Sequence, residues 1–451
     1  MHRVDDVTDQ MIRHVLAYAD GRLRRDPVPL DRGTKTMAEL DGLLAGVIGR
    51  HGRDPDEVLD VYSSVVAPNV ISTDSSRFLG FIPAAPTKAS LVFDALLSSA
   101  SLQGISWLEA SGAVAAENSV LRLIAGEAGL PTGAGGCFVS GGSAGNLSAL
   151  AVARETAKRR AGDGRRRLRV VVGTEAHSSI TSTLRLLEMD ALVVRTPDHR
   201  LTAGAVSAAL AEDPDLSDVA AVVATAGTAN AGIVDDLAGV GALAREHQWW
   251  FHVDGAYGGA GIFAPSLRDR YRGLELADSF ILDPHKWLFA PYDCCALLYR
   301  QPVLARATHT QHAPYLDALR TEDSEWNPTD YAYHLTRRAR GLPLWFSLAV
   351  HGVDAYRDAV EVAVRLARET AELIAQEDHL ELIREPELGI VLFRRRGWGP
   401  DDYLVWSRRL HRDGTAFVPP SLWEGETVGR FAFLHPDTSM DVVREILRQT
   451  R

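Results

Sequence analysis

Lysine is nearly missing from this chain. Of 451 residues only four are lysine, at positions 35, 88, 158 and 286, against 44 arginines. Where positive charge alone is needed, arginine serves. A retained lysine marks a place for an amine that can lose its proton, which a guanidinium cannot do. Only Lys286 has apolar and aromatic neighbours, in ILDPHKWLFAPYD. Cysteine is scarce as well. Cys137, Cys294 and Cys295 cannot make a disulfide framework, and the adjacent pair bridges poorly, so a reducing cytoplasm is expected. No apolar run approaches the roughly 18 residues that span a bilayer. The opening stretch, MHRVDDVTDQMIRHV, carries acids and no apolar signal core, so neither secretion nor membrane attachment is expected. Positive charge is in deficit, with a formal net charge of -11. Such a chain repels phosphate backbones, which argues against a nucleic-acid partner. Its one basic run, Lys158-Arg159-Arg160 and then Arg165-Arg166-Arg167 and Arg169, reads as a helix C-terminus, where cations are favoured. Repeats and low-complexity tracts are missing too. A composition of 46% hydrophobic and 24% charged residues is that of a globular protein, and the length suits more than one domain.

Apolar periodicity divides the chain. The first 60 or so residues read as amphipathic helices, over 6–20 and 37–50, separated by DPVPLDRG. From about Leu91 helices and short apolar strands alternate. Helices are expected over 91–100, 112–129, 146–161 and 179–188. Strands are expected over 136–140, 168–173, 191–196, 219–227, 249–255, 278–284 and 294–300. Buried runs separated by helices of ten or more residues indicate a parallel sheet covered on both faces. The pattern is irregular over about 303–340. A long helix over 344–377, a strand near 388–394, a helix over 401–413 and a last strand–helix pair form a small α+β domain.

Chemistry collects at the expected strand ends. SGGSAGN (140–146) joins a strand to a helix, and its glycines let backbone N–H groups and the helix N-terminus approach a phosphate. The same residues spell G-x-S-x-G, the turn that presents a nucleophilic serine, here Ser143, in α/β-hydrolases. A plain capped turn is the third reading, and the motif alone leaves all three open. His177 follows the strand LRVVVG, where a lone histidine is commonly structural. Asp254 ends the strand WWFHVD, at the edge where open α/β sheets bind ligands; a helix N-cap is its bland alternative. Lys286 follows DSFILDP. Burial there is expected to lower its pKa and make the amine nucleophilic. A phosphate cradle, a histidine, a carboxylate and a lysine, each at its own strand end, are together what pyridoxal 5'-phosphate requires.

At these residues the chain resembles a known family. SGGSAGNLSAL, EAHSS, HVDGAYGG and DPHKW match, in order and spacing, the group II pyridoxal-phosphate-dependent amino-acid decarboxylases. The resemblance runs from about Phe78 to Ile446. RFLGFIPAAPTKASLVFDALLSSASLQGISW is similar to that family's substrate-entry region, RRARGLPLW to the segment after its mobile loop, and GRFAF to a C-terminal strand. The resemblance implies an α/β architecture. Its large domain is PLP-dependent transferase-like (fold type I) with a mostly parallel sheet, over 86–353, and includes a mobile loop at about 306–340. A helical dimerisation segment over 1–85 and a small α+β C-terminal domain over 354–451 complete it.

It also implies pyridoxal 5'-phosphate as cofactor, no metal, a homodimer with shared sites, and a small-molecule amino-acid substrate. Lys286 would form the Schiff base with the cofactor, Asp254 would pair with the pyridinium nitrogen, and Ala256 would lie against the ring. His177 would stack on the other face and orient the substrate carboxylate. Gly141, Gly142 and Ser143 would bind the phosphate, and His285 would help position cofactor or substrate. Thr228 would lie beside the cofactor, in Gly227-Thr228-Ala229 where the family has Gly-Thr-Thr. Arg430 is a candidate carboxylate contact. A loop tyrosine gives a proton to the α-carbon; Tyr331 is preferred here over Tyr333. Phe81, Ile82, Pro83, Gln103, Ile105 and Trp107 are pocket candidates, mostly apolar, which favours an aromatic or large hydrophobic side chain. The implied reaction is decarboxylation to the amine and CO2. The alternatives are oxidative deamination to an aldehyde or C–S cleavage on the same fold, and a serine hydrolase using Ser143.

Overall fold

In the computed structural model the described residues are 2–31, 33–83, 85–161, 167–212, 215–314, 316 and 326–451, so residues 315 and 317–325 of the loop expected over 306–340, and Arg165 and Arg166 of the basic run, lie outside them. The chain forms two compact units, one of residues 84–371 and 384–391, the other of residues 1–83, 372–383 and 392–451.

The larger unit is built on a seven-stranded sheet. Its strands are β1 (Gly135–Val139), β2 (Arg169–Gly173), β3 (Asp190–Val194), β4 (Val219–Thr225), β5 (Trp250–Asp254), β6 (Ser279–Leu282) and β7 (Cys295–Tyr299), in the order β1-β7-β6-β5-β4-β2-β3. From β6 through β3 every pairing is parallel. The sheet is not wholly parallel, because β7 runs against both β6 and β1. No crossover helix separates β6 from β7, and a direct return makes an antiparallel neighbour. Strands β1, β4, β5, β6 and β7 are buried along their whole length, which explains their continuous apolar sequences. Glycine lets the helix Gly142–Ala161 lie close to the sheet: a Cβ on Gly145 would come within 2.8 Å of Ile281.

Several expected boundaries move for local reasons. The helix expected over 37–50 ends at Leu44, just before Gly46 at φ 74°. The helix expected over 344–377 is two, Leu342–His351 and Val353–Ala375. Gly352 divides them at φ 80°, a conformation that L side chains rarely adopt.

The smaller unit carries a four-stranded sheet of β8 (Leu380–Leu382), β9 (Ile390–Arg395), β10 (Ser421–Trp423) and β11 (Glu426–Ala432), ordered β10-β11-β9-β8. The short β8 and β10 were not legible in the sequence. The last helix, Met440–Arg448, buries Val442, Val443, Ile446 and Leu447 on one face. The N-terminal helices Asp6–Leu23, Met37–Leu44 and Pro55–Val61 bury no residue at all.

Candidate active site

Strands β1, β2, β5 and β6 end at one edge of the large sheet, and each end carries a polar group. Asp254 is the last residue of β5 and is 4% exposed. Its Oδ2 accepts a hydrogen bond from Asn146 Nδ2 at 2.9 Å, and its Oδ1 one from the Ala256 N–H at 3.1 Å. Past β6, Pro284 opens a single helical turn, Pro284–Trp287, that carries Lys286. The Lys286 Nζ lies 2.9 Å from Asp283 Oδ2. Burial pulls the Lys286 pKa down, yet the charge and hydrogen bond of Asp283, with Asp254 behind them, outweigh it and hold the pKa above the usual value. The expectation of a lysine made nucleophilic by burial is thereby corrected. The amine is parked as an ammonium on a carboxylate and must leave it to react.

Asp283 Oδ2 also accepts from the Gly142 N–H at 3.2 Å, so β6 and the helix after β1 meet there. A Cβ on Gly142 would stand 2.9 Å from the Ala256 methyl and 3.2 Å from that same carboxylate oxygen, so only glycine fits. Ser143 is exposed beside it at the helix N-terminus. Among the described residues no histidine hydrogen-bonds Ser143, and the hydrolase arrangement is not formed. His285 Nδ1 is bonded to the Cys294 backbone, and burial pushes His285 down. His177 caps the helix Ser178–Leu186, accepting the Ser179 N–H at Nδ1, with its ring exposed.

This cluster fits pyridoxal phosphate. Asp254 keeps lone pairs free beyond its two donors and can meet a ring N–H. Asp283 Oδ1 is buried with no hydrogen-bond partner. The helix start at Gly142 offers backbone N–H groups and a positive partial charge for a phosphate. The primary amine belongs to the one lysine of the four that neighbours all of these.

Comparison with known proteins agrees. Residues 47–396 match the pyridoxal-dependent decarboxylase conserved domain. The chain belongs to the pyridoxal-dependent decarboxylase family. It is 31% identical to an aromatic-L-amino-acid decarboxylase of Bacillus atrophaeus, over 79% of this chain and 75% of that protein. It is 32% identical to an L-2,4-diaminobutyrate decarboxylase of Rhizobium meliloti (strain 1021), over 79% of this chain and 74% of that one. A crystal structure of Oryza sativa TDC with PLP and tryptamine superposes with a TM-score of 0.91 at 24% identity, covering 100% of this chain and 99% of that one. The chain is thus a PLP-dependent amino-acid decarboxylase of fold type I, and its cofactor is pyridoxal 5'-phosphate.

The remaining decarboxylase candidates are scattered. Thr228 is buried, but its hydroxyl is used locally, accepting the Ile233 N–H at 3.1 Å. Gln103 is exposed and donates to Glu109 Oε1 at 2.6 Å. It lines an open cavity of about 520 Å³ with Leu97, Leu102, Arg338 and Arg340, which no residue of the Lys286 cluster lines. Ile105 is buried nearby in sequence, and the Trp107 N–H donates to Asn327 Oδ1 at 2.9 Å. Phe81, Ile82, Pro83 and Arg430 belong to the smaller unit. There the Arg430 guanidinium donates to the Phe81 carbonyl at 3.0 Å, while the Phe81 side chain is exposed.

The preference for Tyr331 as a loop residue is corrected. Its ring is 4% exposed and stacks on Trp326 at a 4.2 Å centroid distance, within the core that contains Cys137 and Tyr299. Tyr333 is 51% exposed, and its backbone N–H donates to Ser148, on the helix that begins at Gly142. Asn146, Ser179, His252 and Asp283 complete the site but were not singled out as site residues from sequence. For His252 a signal existed: it stands two residues before Asp254, hence on the same face of the strand, as a polar residue inside a buried run.

Proposed function

We propose that this enzyme decarboxylates an aromatic or large hydrophobic L-amino acid to the amine and CO2. The observation that carries the reading is that Asp283 holds both the Lys286 amine and the Gly142 helix start, with Ala256, whose N–H binds Asp254, directly beside Gly142. Lys286 is the residue that holds the cofactor, Asp254 keeps the proton on its ring nitrogen, and Gly141, Gly142 and Ser143 receive its phosphate. When bound, pyridoxal phosphate supplies an electron sink for the pair left by the departing carboxylate. His177 and Ala256 bracket the ring, and His177 steers the substrate carboxylate. Lys286 moves off Asp283 to accept and return protons. Tyr333, exposed and tethered by its backbone to Ser148, is the better candidate to protonate the α-carbon. The likeness to an aromatic-L-amino-acid decarboxylase supports the substrate class.

Two copies build the working enzyme in this reading. Val7, Met11, Ile12, Val15 and Leu16 are all exposed on the first helix, more aliphatic surface than one helix of a monomer commonly shows. The segment 1–85 serves this dimer, with 86–353 and 354–451 as the large and small domains. Sedimentation should give a dimer, and an active monomer contradicts the assignment. Three buried free cysteines suit the cytoplasm. Borohydride treatment of the cofactor-loaded chain should fix the cofactor on Lys286. Label on Lys35, Lys88 or Lys158 contradicts the proposal.

A further inference from the structure

Behind the proposed cofactor site lies a chain of buried polar side chains. Asn146, 1% exposed, stands in the first turns of the helix that starts at Gly142. Its Nδ2 reaches two acceptors, Asp254 Oδ2 at 2.9 Å and Ser179 Oγ at 3.0 Å. Its Oδ1 lies 2.8 Å from His252 Nε2. On its other side His252 Nδ1 lies 2.8 Å from Ser279 Oγ, which also receives the Trp250 indole N–H at 2.7 Å. Beyond Ser179, the hydroxyl lies 2.8 Å from His177 Nδ1.

The proton positions follow from who can donate. A carboxylate only accepts, so the amide nitrogen of Asn146 must face Asp254. Its carbonyl then faces His252, and His252 must carry its hydrogen on Nε2. Complete burial pushes the His252 pKa down to about 4, so its Nδ1 is bare and accepts the Ser279 hydroxyl. At the far end His177 Nδ1 accepts the Ser179 backbone N–H at 3.2 Å, so it is not a donor. The Ser179 hydroxyl therefore donates to it as well, and the His177 hydrogen is on Nε2. Donation runs without a break from Trp250 to His177. Turning any member round sets two acceptors or two donors against each other in a buried site, the costly case.

We infer that Asn146, locked by His252, is a positioning residue for Asp254: the His252 Nε2–H fixes the Asn146 amide, and the amide aims the Asp254 carboxylate and gives its second N–H to Ser179, the cap partner of His177. This rests on the reading of Asp254 and His177 as cofactor-facing groups. The ring face and the ring nitrogen of the cofactor are then addressed by one rigid unit, anchored in Trp250 on β5.

The test uses the full chain labelled with 15N-histidine, with and without pyridoxal phosphate. The native chain should show a bare Nδ1 and a protonated Nε2 at His252, whose signals His252→Gln assigns. Asn146→Leu keeps the volume, loses both donors and adds no charge, so a space-filling role would survive it. Here it should release His252 into a mixture of tautomers and weaken pyridoxal phosphate binding roughly ten- to a hundredfold, the range of one lost charge-assisted hydrogen bond. His252→Gln, whose amide N–H can replace Nε2–H, should keep the cofactor affinity, whereas His252→Phe should weaken it. If Asn146→Leu folds poorly, as thermal unfolding would reveal, the His252 pair decides alone. An unchanged His252 tautomer in Asn146→Leu, or an unchanged cofactor affinity in His252→Phe, overturns the inference. Unaltered cofactor affinity in Asp254→Ala overturns the underlying reading instead, and leaves the tautomer result in the cofactor-free chain to judge the relay separately.

Discussion

Tyr331 and Tyr333 stand two residues apart, and the structure gives them opposite surroundings. The Tyr331 ring is held in the core by Trp326, and the hydroxyl of Tyr299 donates to its backbone carbonyl at 3.1 Å. Burial raises the pKa of its phenol above the usual value. A side chain packed this way does not reach out to a substrate. Tyr333 is exposed. Tyr333→Phe should therefore cut amine formation at least about a hundredfold, the low end of a general-acid contribution. It should also shift products toward aldehyde, ammonia and peroxide. Tyr331→Phe should leave the product ratio unchanged. Product analysis under air checks both, and the reverse pattern would restore Tyr331 as the donor.

At the scale of elements, RRARGLPLW is fastened by a buried ion pair. Arg337 donates through Nη2 to both oxygens of Glu117, at 2.7 and 2.8 Å, and the two side chains are 0% and 2% exposed. The remaining Arg337 donors go to the Phe138 and Gly104 carbonyls, and Glu117 Oε1 also accepts the Gly341 N–H. Glu117→Ala leaves that guanidinium buried and uncompensated. It should cost about 3–5 kcal/mol of stability, read by denaturant unfolding. A loss below about 1 kcal/mol would show that water reaches Arg337. This anchor was invisible in the sequence, because 220 residues separate its partners. β4 was legible because full burial along its length writes itself as an almost unbroken run of Val and Ala. The glycine turn, Asp254 and Lys286 were legible because strand ends collect ligand-binding groups. The direction of β7 was not, since a buried strand reads alike in either sense. The Lys286 pKa was not legible, because the contact of its amine with Asp283 that raises it is formed only by the folded turn.

Over the whole molecule, buried imidazoles set the response to acid. Burial depresses His252 and His334 to about 4, and pushes His285 and His309 below their usual value. In the unfolded chain all four take up protons near pH 6.5. Between there and about pH 4 the unfolded state binds more protons, so stability falls as pH falls. Asp235, raised to about 7 by burial, and Asp278, also raised by burial, act in the opposite sense. Four imidazoles outweigh two carboxyls. The stability of the cofactor-free chain, read by denaturant unfolding, should thus drop from pH 6.5 to pH 4, by up to about 1.4 kcal/mol per pH unit for each net proton. A flat or rising profile contradicts these burial assignments. Purified enzyme with pyridoxal phosphate should be given a panel of L-amino acids that includes aromatic, large aliphatic, acidic and diamino side chains, while CO2, amine, aldehyde and dissolved oxygen are measured together. One CO2 and one amine should form per aromatic or large hydrophobic substrate consumed, with no oxygen uptake. Stoichiometric aldehyde and oxygen consumption, or turnover confined to acidic or diamino substrates, would contradict the proposed function.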